Sequence, residues 1–118
     1  LRLQAEVMGD LEVLTAGGVA VAVIRVSRQD RDRHGIAFTQ VESLIDAVRT
    51  VEGVEVAVVL TQDDHGLWRV SSRSLGAVDV GRACTSQGGG GHVMAAGFTG
   101  TTDAQQTLQG FLDALELD

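Results

Sequence analysis

Two short apolar runs with a helix signature between them constrain this chain more than any other feature. Val19–Val26 (VAVAVIRV) and Val54–Thr61 (VEVAVVLT) are rich in β-branched residues. Each is far shorter than the roughly 18 apolar residues that suggest a membrane span, so they read as strands. The first is apolar almost throughout, the pattern of a central strand buried on both faces. Between the runs, Thr39 and Glu42 have capping-box spacing, and Val41, Leu44, Ile45 and Val48 follow at i, i+3, i+4 and i+7. Gly53 supplies a helix stop.

The rest of the chain extends this unit. Gln62–Gly66 is a tight connection to a third strand over Leu67–Ser74, which should pair antiparallel with the second. Residues 79–87 fit a short helix, and a short strand is expected around Ala95–Thr99. Thr102 and Gln105 suggest a second capping box, followed by Leu108, Phe111, Leu112 and Leu115 on one helical stripe. Before the first run, Leu3, Val7, Leu11 and Leu14 predict a helix that Gly17-Gly18 ends, while the charged stretch RQDRDRHG at 28–35 reads as a loop. The expected fold class is α/β: a single domain with a mixed sheet of about four or five strands and helices packed against it. At 118 residues a second core would not fit.

Several reaction classes are excluded. All nine basic residues are Arg, which leaves no lysine for a P-loop or a Schiff base. Cys84 is the only cysteine, so neither an intrachain disulfide nor a multi-cysteine zinc site can form. That usage fits a reducing, cytoplasmic setting. The three histidines lack HExxH spacing and no serine lies in a GxSxG elbow. A net charge of −7 argues against gripping long nucleic acid by counterion release, though one local pocket can still hold a phosphate.

Two features could carry chemistry. Strand alternation turns Trp68 and Val70 one way and Arg69, Ser71 and Arg73 the other. Two guanidiniums and a hydroxyl in line could hold a phosphate through forked, charge-assisted hydrogen bonds, against the plainer reading of a solvent-facing strand. The second feature is GGGGH, Gly88–His92. Four glycines in a row are entropically costly, so the loop needs positive φ angles, close approach by a ligand, or both. Free backbone N–H groups there could form an anion nest, with His92 at its edge; a flexible linker is the plainer alternative.

VSSRS (Val70–Ser74), VDV (Val78–Val80) and GGGGHVMAAGF (Gly88–Phe98) together resemble the C-terminal DHH-associated domain of the DHH phosphoesterases, as does VEGVEVAVVL (Val51–Leu60). The likeness is strongest to the nanoRNase and bisphosphate-nucleotide phosphatase branch. It implies a two-domain, cytoplasmic enzyme whose N-terminal DHH domain holds two divalent metals, usually manganese, and whose C-terminal domain holds the substrate. On this reading residues 1–118 are the substrate-binding domain, with 1–17 a connector helix from a catalytic domain outside this sequence. Ser71 and Arg73 match the family's phosphate-contacting SxR strand; Gly89, Gly90, Gly91 and His92 match the loop that packs against the nucleotide. The implied partners are short RNA, a linear or cyclic dinucleotide or a nucleoside bisphosphate, together with the chain's own DHH domain. No membrane partner and no metal in this domain are expected, and homo-oligomers remain open.

Met94 stands where relatives often carry Asn, and Gly81 where Ser is frequent. Asp63-Asp64-His65 has the look of a DHH motif but reads as a solvated turn, Cys84 as a small buried residue and His34 as solvated. Three alternatives compete: a single-strand exonuclease domain, a tRNA-contact module like the C-terminal domain of alanyl-tRNA synthetase, and a small-ligand regulatory domain. The acidic charge disfavours the first two.

Overall fold

The computed structural model describes Glu6 and residues 9–116. Strand β2 (Val19–Val26) lies beside β3 (Val56–Gln62) in parallel, with Val21 opposite Val56 and Val26 opposite Thr61. Helices α1 (Arg28–His34), α2 (Phe38–Val41) and α3 (Leu44–Val48) form the crossover that a parallel pair requires. Strand β4 (Trp68–Ser74) returns antiparallel to β3, as its short connection predicts. Asp63 builds that turn by accepting from the His65 and Leu67 N–H groups, each at 2.9 Å. After α4 (Val80–Ser86) come β5 (Gly90–Gly91), β6 (Ala95–Gly100) and α5 (Ala104–Glu116). With β1 (Glu12–Ala16) the sheet has six strands in the order β1-β2-β3-β4-β6-β5.

The mixed α/β sheet is as expected, with the two-residue β5 as a sixth strand. Three local readings change. The sequence predicts an N-terminal helix over 1–14 and a connector over 1–17. Glu6 and Gly9 are helical, and residues 1–5, 7 and 8 lie outside the described residues. Glu12–Ala16, however, is strand β1, antiparallel to β2. Gly17 and Gly18, at φ 56° and 83°, form a two-residue hairpin turn, not a helix stop. Positive φ at both centres suits the right-handed twist of the strands. The charged stretch is also helical: Ser27 and Asp30 form a reciprocal capping box and Gly35 closes α1 in the left-handed conformation. Charge there points to a loop only while this capping signal is ignored.

The third change concerns the helix expected from Thr39. It starts two residues earlier, where Gln40 Oε1 accepts from Ala37 N–H at 2.8 Å. It then tightens at Glu42–Ser43 through i+3 bonds such as Ile45 N–H to Glu42 O at 3.1 Å. Val41, Leu44, Ile45 and Val48 are nevertheless all buried, as their spacing requires. The final helix matches its expected stripe, but Asp103, not Thr102, caps it, accepting from Gln106 N–H at 2.8 Å.

Two apolar cores lie on opposite faces of the sheet. On one face, Val21, Val23, Val58, Leu60, Val70 and Phe98 pack against α4 and α5, and Phe98 stacks on Phe111 with ring centres 6.3 Å apart. On the other, Ala22, Ile24, Ala57 and Val59 pack under α2 and α3. No side chain of β4 or β6 belongs to that second core. Among the described residues, the β4–β6 half of that face therefore has no apolar helical cover.

Candidate functional site

The uncovered half-face carries the residues that the alternation of β4 singled out. Trp68 and Val70 turn into the first core, while Arg69, Ser71 and Arg73 face the open side. Across the ladder on β6 their partners are Thr99, Gly97 and Ala95, and Gly97 in turn faces Gly90 of β5. Small or absent side chains on β5 and β6 leave an open cavity of about 280 Å³, with Glu42 as its wall beside α2. That is just under the usual 300–1,000 Å³ of small-ligand sites, enough for part of a nucleotide.

The charges in this cavity are unusual for the molecule. Arg25, Arg31, Arg33 and Arg49 each pair with a carboxylate. Among the described residues, neither Arg69 nor Arg73 is in an ion pair. Arg73 is steadied by its own strand, donating from Nη1 to Ser72 O at 2.9 Å. Arg69 lies across Gly97, where any Cβ would meet its Nη2 at 2.7 Å and the Val70 carbonyl at 2.5 Å. Ser71, 7% exposed, donates from Oγ to Glu42 Oε1 at 3.1 Å. Two guanidiniums without counter-ions, spaced along one strand, form a site complementary to an anion.

The glycine run separates into individual roles. Gly88 (φ 89°) and Gly91 (φ 139°) hold backbone conformations that side chains rarely adopt. At Gly89 a Cβ would come within 2.1 Å of the Gly97 carbonyl. Gly90 alone of the four has neither a positive φ nor an atom within 4 Å of where its Cβ would stand, and it lines the cavity. The backbone N–H groups of Gly88, Gly89 and His92 are taken by Thr85, Cys84 and Ala95 carbonyls at 3.1, 2.9 and 2.7 Å. Three of the five N–H groups of Gly88–His92 are thus not free to form a nest. The loop offers a close-packed ribbon with one open position.

His92 is exposed on the turn between β5 and β6 and does not line the cavity. Its carbonyl sits where a Cβ on Gly81 would be only 2.7 Å away, so Gly81 allows this turn to dock on α4. The same turn places the Val93 carbonyl on Val80 N–H at 3.0 Å, and Asp79 caps the helix through Arg82 N–H at 2.9 Å. Cys84 is buried, and desolvation raises its thiol pKa. His34 pairs with Glu6 and is only partly exposed, so it is not the solvated residue expected. Asp64 is more than a turn residue: it binds the buried Arg31 at 2.7 Å, and that hydrogen bond lowers its pKa.

The structure thus brings together Ser71, Arg73, Gly90 and Gly91, uses Gly89 for packing, and leaves His92 outside. Sequence reasoning misses Glu42, which it assigns to a cap. It also undervalues Arg69, although alternation puts Arg69 on the same face.

Residues 16–117 match the family model of the DHHA1 domain. A bifunctional oligoribonuclease and PAP phosphatase, NrnA, from Thermus thermophilus is 37% identical over 75 residues. That match covers 63% of this chain and 23% of the relative. An exopolyphosphatase-related protein from Bacteroides fragilis superposes with a TM-score of 0.85 at 21% identity, covering 98% of this chain and 34% of that one. A pGpG-specific phosphodiesterase, PggH, from Vibrio cholerae superposes at 0.63 with 8% identity, covering 99% and 38%. These two likenesses are of fold. The chain spans about a quarter of the length of the curated relative and about a third of each solved structure.

Proposed function

Because this chain belongs to the DHHA1 domain family, we propose that it is the substrate-holding part of a metal-dependent DHH phosphoesterase. The substrates are very short oligoribonucleotides, linear or cyclic dinucleotides, or nucleoside bisphosphates. The observation that carries this reading is the pair of guanidiniums, Arg69 and Arg73, left without carboxylate partners over an open cavity in an acidic molecule. An anion bound there would meet two fixed positive charges on a rigid strand, so little ordering is needed on binding. Ser71 and Gly90 line the same cavity, and His92, on the turn beyond it, would meet the part of a nucleotide that projects outward.

The oligoribonuclease and PAP phosphatase activities for which the NrnA relative is named support the choice of short nucleotides. Among the described residues no three His, Cys, Asp or Glu side chains converge as a metal ion would need. Manganese or another divalent ion belongs, in this reading, to the DHH domain that the family likeness implies. No helix among the described residues is long and apolar enough to cross a membrane, and a cytoplasmic enzyme is the reading proposed. Arg73→Ala in the full-length protein tests the proposal. Affinity for a dinucleotide should fall about ten- to a hundredfold, the range of one charge-assisted hydrogen bond. Unchanged affinity would return the strand to a solvent face. The 118-residue chain alone should fold, bind weakly and release no mononucleotide from a dinucleotide in the presence of manganese. Release by the pure fragment would place the catalytic groups within it.

A further inference from the structure

A phosphate site does not ordinarily include a carboxylate, yet Glu42 forms one wall of this one. Its presence needs a reason, because a negative charge beside a bound anion opposes binding. Glu42 is not neutralised by its neighbours: among the described residues it makes no ion pair with Arg69 or Arg73, and the one hydrogen bond to its carboxylate is from Ser71. An ionised carboxylate can only accept, so the proton in that bond belongs to Ser71 Oγ. The serine hydroxyl is thereby turned towards Glu42, and its lone pairs are left for the cavity. The cavity therefore carries two chemically distinct kinds of group, with Ser71 set between the two arginines on β4. Arg69 and Arg73 supply donors, whereas Glu42 and Ser71 supply acceptors.

From this polarity we infer that Glu42 is the specificity-determining residue for a hydroxyl next to the bound phosphate, selecting ribonucleotides over deoxyribonucleotides. The inference deepens the function proposed above and rests on it. The ligand that complements both kinds of group carries an anionic group with a hydroxyl donor beside it. In a nucleotide that donor is a ribose hydroxyl beside the phosphate-bearing carbon. The carboxylate accepts from it a charge-assisted hydrogen bond, stronger than water or a neutral acceptor would give. A deoxy substrate keeps the attraction of the arginines but leaves the carboxylate without the hydroxyl that it would accept from. The same charge disfavours a second phosphate beside Glu42, which places nucleoside bisphosphates behind linear ribodinucleotides.

The test measures dissociation constants of the full-length protein for a diadenylate with a hydrolysis-resistant linkage and for its 2′-deoxy counterpart. The native protein should prefer the ribo form by about tenfold to a hundredfold, one charge-assisted bond. Glu42→Ala should bring the ratio near one, and it should do so with deoxy binding unchanged or tighter. Glu42→Gln, which keeps a neutral acceptor, should fall between. Glu42 is exposed, so neither variant should lower the melting temperature appreciably. Arg73→Ala is the control for the parent reading and should weaken both ligands alike. A native-like ribo preference in Glu42→Ala, with Arg73→Ala still harmful, would overturn the inference alone. No effect of Arg73→Ala would overturn the site and the inference with it.

Discussion

The two faces of β4 differ more than any other pair of regions in the molecule. Residues one position apart share a backbone but have opposite surroundings. Val70 is wholly buried against α5, and Ser72 is buried with its hydroxyl donating to Ala96 O at 2.8 Å. Arg69, Ser71 and Arg73 face an open cavity with Glu42 as its wall. The helices decide this asymmetry. On the covered face α4 and α5 serve β4 and β6 as well, whereas α2 and α3 on the other face protect the β2–β3 half. One face of the strand thus stabilises the fold, and the other keeps polar groups at the edge of an open cavity.

The glycine ribbon offers the largest test of that division. Gly89→Val should disrupt the fold, since even a Cβ would meet the Gly97 carbonyl at 2.1 Å and Phe98 Cβ at 2.4 Å. Gly90→Val should leave the fold largely intact and abolish nucleotide binding, because the added side chain enters the open cavity. Melting temperature measured beside affinity separates the two. If Gly90→Val melts as low as Gly89→Val, the ribbon is structural throughout; if it binds normally, the ligand lies elsewhere.

How much of this is legible in the sequence depends on the distance over which each signal acts. Val19–Val26 reveals its burial on both faces by composition alone, because a strand with no polar side to present has one place to go. The stripe from Val41 to Val48 is likewise readable, although the turn that starts it is not. Gly17-Gly18 is ambiguous: two glycines can end a helix or close a hairpin, and only pairing with β2 decides between them. In the site, alternation places Ser71 and Arg73 correctly on one face. Nothing local could say that Glu42, 29 residues before Ser71, would supply the opposing wall. The sequence also could not divide four identical glycines into two for positive φ, one for close packing and one for space.

On the covered face, Phe111→Ala should cost about 3–5 kcal/mol, as a buried aromatic truncation does when its neighbours cannot close the void. Phe111 is fully buried and stacked on Phe98, so the void would open at the centre of the first core. Denaturant unfolding measures the loss, and nucleotide affinity of the remaining folded protein should be unchanged. A binding defect beyond the unfolded fraction would mean that the two faces are coupled.

The open face should give the reverse pattern, with affinity lost and stability kept. Arg73→Ala should lose more than Arg69→Ala, because Arg73 is held by Ser72 O at 2.9 Å while Arg69 merely rests across Gly97. A pre-organised guanidinium spends less of its interaction on becoming ordered. Paired affinity and melting measurements on both variants check this. Equal losses in affinity would show that the tether contributes nothing, and a large fall in melting temperature would deny that this face is free of structural duty.

The smallest effect lies beside Gln62 at the end of β3, where a cation has become structural. Arg31 is 3% exposed, donates from Nε to Gln62 O at 3.0 Å, and sits 5.9 Å from the Phe38 ring centre. Asp64 completes its surroundings, and the hydrogen bond from Arg31, followed by the guanidinium charge, lowers the aspartate pKa. A carboxylate whose folded pKa is depressed stabilises the fold above its unfolded value, and that contribution disappears as pH falls through the folded value. Unfolding midpoints measured from neutral to strongly acidic pH should therefore fall more for the native protein than for Asp64→Asn. The variant should be the less stable of the two near neutrality, and the curves should converge in acid, where both side chains are uncharged. Parallel curves would mean that the contact with Arg31 is equally strong without the charge. Arg31 would then owe its burial to Gln62 and Phe38, and the contrast with the unpaired arginines of β4 would rest on packing alone.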